Sequence, residues 1–244
     1  MSDVFKESLK NGAELVGITL TPDVIDNLFK FNNLVMEWNQ KFNLTSITED
    51  GESAEKHFID SLLLTKVIED QKINNSGIRV CDVGAGAGFP GIPVKLANPT
   101  IDLTLLDSLN KRIGFLQFVI DEFKLQNAEA IHARVEDFGH TKSRRESYDV
   151  VTSRAVARLN VLAEFCLPLV RVGGKFLAMK GPDAGNEVME AEKAIITLGG
   201  QIASVEKFVL PFSQDERNII VIQKVKTTPK NYPRKAGLPA KKPL

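Results

Sequence analysis

The chain has 244 residues, of which 43% are hydrophobic and 25% are charged. This length and this composition are ordinary for a globular domain with one extension. No apolar run is as long as a membrane span, the N-terminus lacks the basic-then-apolar form of a signal peptide, and Cys81 and Cys166 suggest no disulfide framework. We therefore expect a cytoplasmic protein with no membrane segment and with buried, unreactive thiols.

The net charge of zero hides an uneven distribution of charged residues. Residues 224–244 contain seven basic residues and no acidic residue, so the rest of the chain has a net charge of −7. A basic segment on an acidic body suggests a polyanionic partner such as nucleic acid. The alternative is a solvated tail that aids solubility, and composition does not choose between the two.

The first part of the chain predicts helices. Residues 1–20 are compatible with a weakly patterned helix, and Thr21 followed by Pro22 is a typical helix start, with Thr21 as the N-cap. The next segment has apolar residues at helical spacing, namely Val24, Ile25, Leu28, Phe29, Phe31, Leu34, Val35 and Trp38. We expect Trp38 to pack in the core rather than to stack on a ligand.

A second helix is predicted after a polar, turn-prone segment at residues 39–47. It spans about Ser53–Glu69, and His57 and Asp60 lie in its first turns. An isolated histidine at such a position is more often structural than catalytic, so we interpret His57 as structural.

The most informative stretch is a glycine-rich loop that follows a short apolar run. Val80–Val83 predicts a buried strand, and Gly84, Gly86 and Gly88 follow at alternating positions before a helix-compatible segment. Because glycine has no Cβ, this turn can adopt positive φ, and a ligand can lie against bare backbone. Amide groups at the start of the next helix would face that ligand.

Two kinds of ligand use such a loop. The dinucleotide fingerprint Gly-x-Gly-x-x-Gly is formally present as Gly86, Gly88 and Gly91. The pattern typical of S-adenosylmethionine sites has an acid two residues before the first glycine, and Asp82 occupies that position. Because a carboxylate attracts an amino group and a sulfonium but not a pyrophosphate, Asp82 favours S-adenosylmethionine. An NAD(P) oxidoreductase and a turn without a ligand are the alternatives.

From Ile78 onward the sequence alternates between apolar runs and helix-compatible segments. Seven strands are predicted, at residues 79–83, 102–106, 128–132, 149–153, 175–180, 201–210 and 217–224. Helices fit between the first five, which implies a parallel sheet covered on both faces. The last two strands are too close for a helical crossover, so we predict an antiparallel hairpin. This is the α/β architecture of Rossmann-like class I methyltransferases, and typical dinucleotide dehydrogenases lack the hairpin.

The predicted elements divide the chain into three parts. They are an N-terminal helical extension (1–75), with a polar loop at residues 74–77, a methyltransferase domain (76–225) and a basic C-terminal tail (226–244).

Ligands of such sheets bind beyond the carboxyl ends of the strands, and this rule selects further candidates. Asp107 ends the second strand and can accept hydrogen bonds from both hydroxyls of a ribose, although it also fits as an N-cap. After the third strand, Glu136 or Asp137 lies where an adenine would sit, although both also fit as acids at a helix N-terminus.

Four cations are predicted at the same edge of the sheet. Arg154 follows the fourth strand, Lys180 ends the fifth, and Lys111 and Arg112 follow the second. A basic rim around the pocket suits a substrate that carries phosphates. Ordinary surface cations are the alternative for Lys111 and Arg112.

Several motifs form a combination that is more specific than the glycine loop alone. They are Asp82–Gly91 with Ile92-Pro93, Leu106-Asp107-Ser108-x-x-Lys111-Arg112, Ser153-Arg154-Ala155, Lys180-Gly181, Trp38-Asn39 through Asn43-Leu44-Thr45, His57–Ser61 and the basic ending Tyr232–Pro239. Together they resemble the RsmG (GidB) family, bacterial methyltransferases that modify N7 of one guanine in small-subunit (16S) ribosomal RNA. The resemblance covers nearly the whole chain.

The resemblance implies a cofactor, a partner and site residues. S-adenosyl-L-methionine would contact Gly84, Phe89, Val135, Glu136 and Arg154, with Asp107, and the loop pattern adds Gly86 and Asp82. Lys180, Lys111 and Arg112 would bind RNA, either as small-subunit ribosomal RNA or in the 30S particle. Because guanine N7 has an exposed lone pair and no proton, we predict no general base. We also expect no metal and a monomeric protein.

Overall fold

The computed structural model describes residues 2–70 and 77–244, and all structural statements concern these residues. The predicted loop at 74–77, apart from Gly77, and the predicted boundary between residues 75 and 76 lie outside the described residues. Within the described ranges, no helix combines the length and the apolar character needed to cross a membrane.

A seven-stranded sheet forms the centre of the molecule. Its strands are β1 (Arg79–Val83), β2 (Asp102–Asp107), β3 (Ala128–His132), β4 (Tyr148–Arg154), β5 (Val170–Lys180), β6 (Gly200–Val209) and β7 (Glu216–Lys224). Their order is β3-β2-β1-β4-β5-β7-β6, with the first five parallel and β7 antiparallel to both neighbours. The predicted sheet with its terminal hairpin is confirmed. β5 begins at Val170, earlier than predicted, because Val170 already pairs with Tyr148 of β4. The register then shifts before Lys175 pairs with Val150, and Gly173, at φ 85, lies in this irregular part of the strand.

Helices cover both faces of the sheet. They are α1 (Ser2–Leu15), α2 (Pro22–Phe42), α3 (Asp50–Ser53), α4 (Asp60–Asp70), α5 (Gly91–Ala97), α6 (Asn110–Glu122), α7 (Val135–Phe138), α8 (Leu159–Cys166), α9 (Ala184–Thr197) and α10 (Leu238–Lys241). Helices α5 to α8 connect the parallel strands, as predicted, and α9 connects β5 to β6.

Helix α2 begins as predicted and ends later. The Thr21 hydroxyl accepts a hydrogen bond from a first-turn N–H at 3.4 Å, and Pro22 lies in the first turn. The helix continues to Phe42, so the segment predicted as turn-prone from residue 39 begins in helical conformation. It ends where Asn43 adopts a left-handed conformation with φ 49, which asparagine tolerates.

The second predicted helix begins at Asp50 instead of Ser53. Its start is fixed by Glu49, whose carboxylate accepts hydrogen bonds from the backbone N–H groups of Gly51 and Glu52, a cap that the spacing of apolar residues does not reveal. A π-helical segment at Ala54–Ile59 joins α3 to α4. Such segments are frequent at functional sites, and this one contains His57.

The N-terminal helices share one hydrophobic core with the sheet domain. Phe31 in α2 is fully buried, and its ring lies 5.8 Å from Phe58, 5.3 Å from Phe89 and 6.4 Å from Phe115. These contacts join α2 to the π-helical segment, to the glycine loop and to α6. Trp38 packs against three phenylalanine rings at 5.3–5.4 Å, as predicted.

The backbone of the C-terminal segment, residues 226–244, is docked on the sheet domain, while most of its basic side chains are exposed, so both interpretations of its charge stay predictions. The Arg145 guanidinium donates to backbone carbonyls of this segment, including that of Tyr232 at 2.7 Å. Arg234 donates to the buried carboxylate of Glu164 at 2.6–3.0 Å. The polar groups that hold the segment lie far away in the sequence, where composition gives no sign of them.

Candidate functional site

A cavity of about 540 Å³, called the first cavity here, opens at the carboxyl ends of β1 to β4. Seven of the eight predicted cofactor residues line it, namely Gly84, Gly86, Phe89, Asp107, Val135, Glu136 and Arg154. The eighth, Asp82, is not among the lining residues. The rule that selects strand ends therefore brings together side chains from four different strand-to-helix connections.

The glycine loop presents bare backbone to the first cavity. Gly84 and Gly86 have φ values of 74 and 59, a conformation that L side chains rarely adopt. A Cβ at Gly84 would lie 2.5 Å from the Val156 side chain, whereas a Cβ at Gly86 would meet only the Gly84 carbonyl oxygen, at 3.8 Å, an ordinary contact distance. A side chain at Gly86 would thus occupy volume that the loop leaves for a ligand.

Asp82 supports the loop from below. It is fully buried, and its Oδ2 accepts a hydrogen bond from the Gly91 N–H at 2.9 Å, while Oδ1 has no partner among the described residues. Burial raises the pKa of this carboxyl to about 7, against the opposing effect of the Gly91 hydrogen bond. The structure gives Asp82 a contact that fixes the loop, and a direct contact with the cofactor stays a prediction.

Asp107 organises the floor of the first cavity. Its Oδ2 accepts from the Gly86 N–H at 3.0 Å and from Arg112 at 3.2 Å, and Oδ1 accepts from the Leu109 N–H at 2.9 Å. The bond to Leu109 precedes α6 and resembles the predicted capping role, but the bond to Gly86 ties the loop to the strand end. Each carboxylate oxygen has two lone pairs, so Asp107 retains acceptor capacity for a ligand hydroxyl.

Val135 and Glu136 lie at the start of α7, directly after β3. Glu136 is buried, and its Oε1 accepts a hydrogen bond from the Gly237 N–H at 2.8 Å. Gly237 and Ala240 line the first cavity, so the C-terminal segment forms part of its wall. The sequence predicts a basic tail but no contact between this tail and the site.

Arg154 forms the wall that faces the N-terminal helices. Its guanidinium donates to Asp60 Oδ2 at 2.8 Å and to the Lys56 carbonyl at 3.1 Å, and it lies 5.3 Å from the centre of the Phe89 ring. The ring face attracts the cation, and the Asp60 carboxylate compensates its charge. Only 15% of the Arg154 side chain is exposed, so this contact network fixes its position.

His57 belongs to the site, although sequence reasoning interprets it as structural. Its ring stacks on Phe89 at 4.7 Å, its Nε2 lies 2.7 Å from Thr45 Oγ1, and it lines the first cavity. Burial, together with the smaller effect of the nearby Arg154 charge, lowers its pKa to about 4, so the imidazole is neutral at physiological pH. The motif His57–Ser61 is the only sequence signal for this residue.

The predicted RNA-binding cations differ in their surroundings. Lys180 donates to the Ala157 carbonyl at 2.6 Å and pairs with Glu187 at 2.7 Å, and little of its side chain is exposed. Lys111 is exposed and lies 3.4 Å from the Phe42 carbonyl, while Arg112 pairs with Asp107 at 3.2 Å. RNA binding by these three residues stays a prediction.

The first cavity has features that fit a nucleoside. The Gly86 backbone lines the cavity without a side chain, and carboxylate acceptors lie at the end of β2 in Asp107 and directly after β3 in Glu136. These acceptors suit ribose hydroxyls and the amino edge of an adenine. Among the described residues, no group of three or more histidine, cysteine or acidic side chains is arranged to hold a metal ion.

Fold and site together define a Rossmann-like methyltransferase. Two solved structures share the fold: a candidate S-adenosyl-L-methionine-dependent methyltransferase from Methanococcus maripaludis (TM-score 0.53, 15% identity, 81% of this chain and 94% of that one), and the YcgJ protein from Bacillus subtilis (TM-score 0.51, 14% identity, 68% and 98%).

Sequence comparison identifies the family. The family model described as rRNA small subunit methyltransferase G (GidB) matches residues 24–220. Ribosomal RNA small subunit methyltransferase G from Desulforamulus reducens is 52% identical over 97% of each chain, and that from Bacillus subtilis strain 168 is 46% identical over 98% of each. The chain belongs to the GidB family of methyltransferases. The recognition from sequence is confirmed, and the oxidoreductase alternative is wrong.

Proposed function

We propose that this protein transfers a methyl group from S-adenosyl-L-methionine to N7 of one guanine in the 16S ribosomal RNA, and that it acts in the cytoplasm. The observation that carries the proposal is the first cavity, in which bare backbone at Gly84 and Gly86 meets the acceptors Asp107 and Glu136 in a chain of this family. The relatives that share the family are named for the small-subunit ribosomal RNA, which supports the substrate.

The residues of the first cavity have separate roles in holding the cofactor. Asp107 would accept a hydrogen bond from a ribose hydroxyl, and Val135 with Glu136 would border the adenine. Gly84 and Gly86 allow close approach to the backbone, and Phe89 contributes an apolar surface. When bound, S-adenosyl-L-methionine supplies an electrophilic methyl group on a sulfonium.

No residue of the site needs to act as a general base. Guanine N7 has a free lone pair, so rate enhancement would come from alignment of the reactants and from exclusion of water. The neutral imidazole of His57 adds no positive charge next to a guanine ring that becomes cationic on methylation. The Arg154 charge is compensated by Asp60, which reduces repulsion of the same ring.

The proposal is tested by methyl transfer from labelled S-adenosyl-L-methionine to naked 16S RNA, small subunits and intact ribosomes. We expect label in 7-methylguanosine of the small-subunit RNA. Replacement of Asp107 by alanine should weaken cofactor binding at least tenfold, about 1.4 kcal/mol. The matched control Asp102→Ala, at the opposite end of β2, should leave it unchanged. Label in another nucleoside, or none with full cofactor binding, would contradict the proposed substrate.

A further inference from the structure

A second cavity, of about 470 Å³, adjoins the first cavity. The two share a wall that is formed by His57, Arg154 and Ala155. From this wall the second cavity extends past the carboxyl ends of β4 and β5 to the start of β7, and the N-terminal helical region closes its other side. A group bound in the second cavity therefore lies next to whatever occupies the first.

The residues that line the second cavity carry an excess of positive charge. Four of them are cations and two are carboxylates, namely Lys56, Arg154, Lys180 and Arg217, and Asp60 and Glu187. Lys180 and Glu187 pair with each other at 2.7 Å. The positive excess therefore lies on the side of the cavity formed by the other three cations.

Two arginines share a single buried carboxylate at this cavity. Asp60 Oδ2 lies 2.8 Å from Arg154, and Asp60 Oδ1 lies 3.4 Å from Arg217 Nε. One carboxylate compensates one guanidinium charge, so the cluster keeps a positive charge among the lining residues. In a partly buried site, such a charge attracts an anion more strongly than it would at an open surface.

The remaining partners of Lys56 and Arg217 do not line the cavity. Lys56 pairs with Glu52 at 3.0 Å and with Asp215 at 3.7 Å, and Arg217 pairs with Asp215 at 3.4 Å. The side chains of Glu52 and Asp215 are each 42% exposed. Exposed ion pairs of this kind contribute little, so both cations can exchange them for an incoming phosphate.

We propose that the second cavity receives the acceptor nucleotide of the RNA. Lys56 and Arg217 bind its phosphate, and its base lies against the wall of His57 and Ala155, where it faces the first cavity. An unstacked nucleotide is the form in which a base reaches such a pocket. This assignment rests on the proposed function only for the identity of the base, since the phosphate site follows from the cations.

Binding of guanosine 5′-monophosphate tests the proposal independently of methyl transfer. The affinity of the full chain is measured by titration in the presence of S-adenosylhomocysteine, with guanosine as the probe that lacks the phosphate. Lys56→Gln and Arg217→Gln should each weaken binding of the monophosphate at least fivefold and leave binding of guanosine unchanged. Arg217→Lys, which keeps the charge, should recover most of the affinity.

The control variant is Arg171→Gln, which removes an exposed arginine of β5 at the opposite edge of the sheet. It should bind the monophosphate like the wild-type protein. Equal affinities in wild type, Lys56→Gln and Arg217→Gln, or no binding by the wild type, would overturn the proposal. If the expected pattern appears but no RNA is methylated, the nucleotide site stands and the proposed function falls.

Discussion

The two ends of the chain both reach the first cavity, but they are attached to the sheet domain by different forces. The N-terminal helices are attached through a hydrophobic core in which Phe31 contacts Phe58, Phe89 and Phe115. Because Phe89 belongs to the glycine loop, the packing of these helices and the shape of the cavity depend on the same contacts.

The C-terminal segment is attached mainly through polar contacts. Arg145 holds its carbonyls, Arg234 pairs with buried Glu164, and the Gly237 N–H donates to Glu136. A region that shares a hydrophobic core with the sheet unfolds together with it, whereas a segment held by polar contacts at the surface can open locally. We therefore expect the N-terminal region to unfold together with the sheet domain, and the C-terminal segment, which forms a wall of the site, to detach by itself.

The largest effect is expected from Phe31→Ala. Removal of a fully buried phenylalanine leaves a cavity in the shared core, and we expect the free energy of unfolding to fall by about 3–5 kcal/mol. Urea unfolding followed by far-ultraviolet circular dichroism and by Trp38 fluorescence should give coincident transitions, because helices and sheet unfold together.

The matched control for this variant is Val172→Ala, since Val172 is an exposed apolar residue of β5. Its effect should stay within about 0.5 kcal/mol. Two separate transitions in Phe31→Ala, with the sheet retaining wild-type stability, would show that the helices form an independent unit.

A smaller effect is expected from Arg234→Ala. The variant leaves the buried Glu164 carboxylate without its ion pair, which is unfavourable unless the segment detaches. Because Gly237 then no longer supports Glu136, the dissociation constant of S-adenosyl-L-methionine should rise about tenfold, or about 1.4 kcal/mol. Limited trypsinolysis should cleave faster at Lys235, and global stability should fall less than in Phe31→Ala.

Arg158→Ala is the control, because the ion pairs of Arg158 with Asp183 and Glu190 are exposed. It should leave both cofactor binding and trypsinolysis unchanged. If Arg234→Ala lowered stability as much as Phe31→Ala, the C-terminal segment would be part of the same cooperative unit.

The features that the sequence predicts well are those that depend on short-range patterns of apolar and polar residues. Strand alternation predicts all seven strands, and the ends of β2 and β4 predict Asp107 and Arg154, because topology alone brings strand ends together. The contacts that complete the site join distant positions. His57 stacks on Phe89, and Gly237 contacts Glu136 across 101 positions, so no periodicity in either segment indicates them.

Asp82 shows where a motif stops being informative. The pattern places an acid two residues before the glycines, and the structure has it there. Whether its carboxylate faces a ligand or the backbone depends on the side-chain conformation and on the path of the loop to Gly91. Sequence spacing defines neither, so the motif predicts the class of protein better than the role of this residue.

A still smaller effect is expected from pH, through His57 of the N-terminal region. The pKa of His57 in the folded protein, about 4, is below its ordinary value of 6.5, so between these values the unfolded chain binds more protons. The contribution of His57 to stability should therefore fall as pH decreases through this window and level off above it. Asp82, whose pKa is raised to about 7, contributes in the opposite direction, but it does so in both proteins and cancels in the comparison with His57→Gln. Between pH 7 and pH 6 we expect a loss of less than about 1 kcal/mol relative to His57→Gln. Urea unfolding at both pH values measures this difference, and parallel curves for the two proteins would show that another group carries the pH dependence.

The smallest effect is expected from salt. Raising the ionic strength from 0.1 to 1 M shortens the Debye length from about 10 Å to about 3 Å, which weakens the partly exposed attachments of Arg145 and Arg234 but not the aromatic core. Hydrogen exchange of residues 229–244 should accelerate about twofold to fivefold, a change below about 1 kcal/mol in local stability, while exchange in α2 stays the same. An equal acceleration in both regions would mean that salt acts on the whole domain. No change in either would mean that hydrogen bonds to the carbonyls hold the C-terminal segment without a significant contribution from charge.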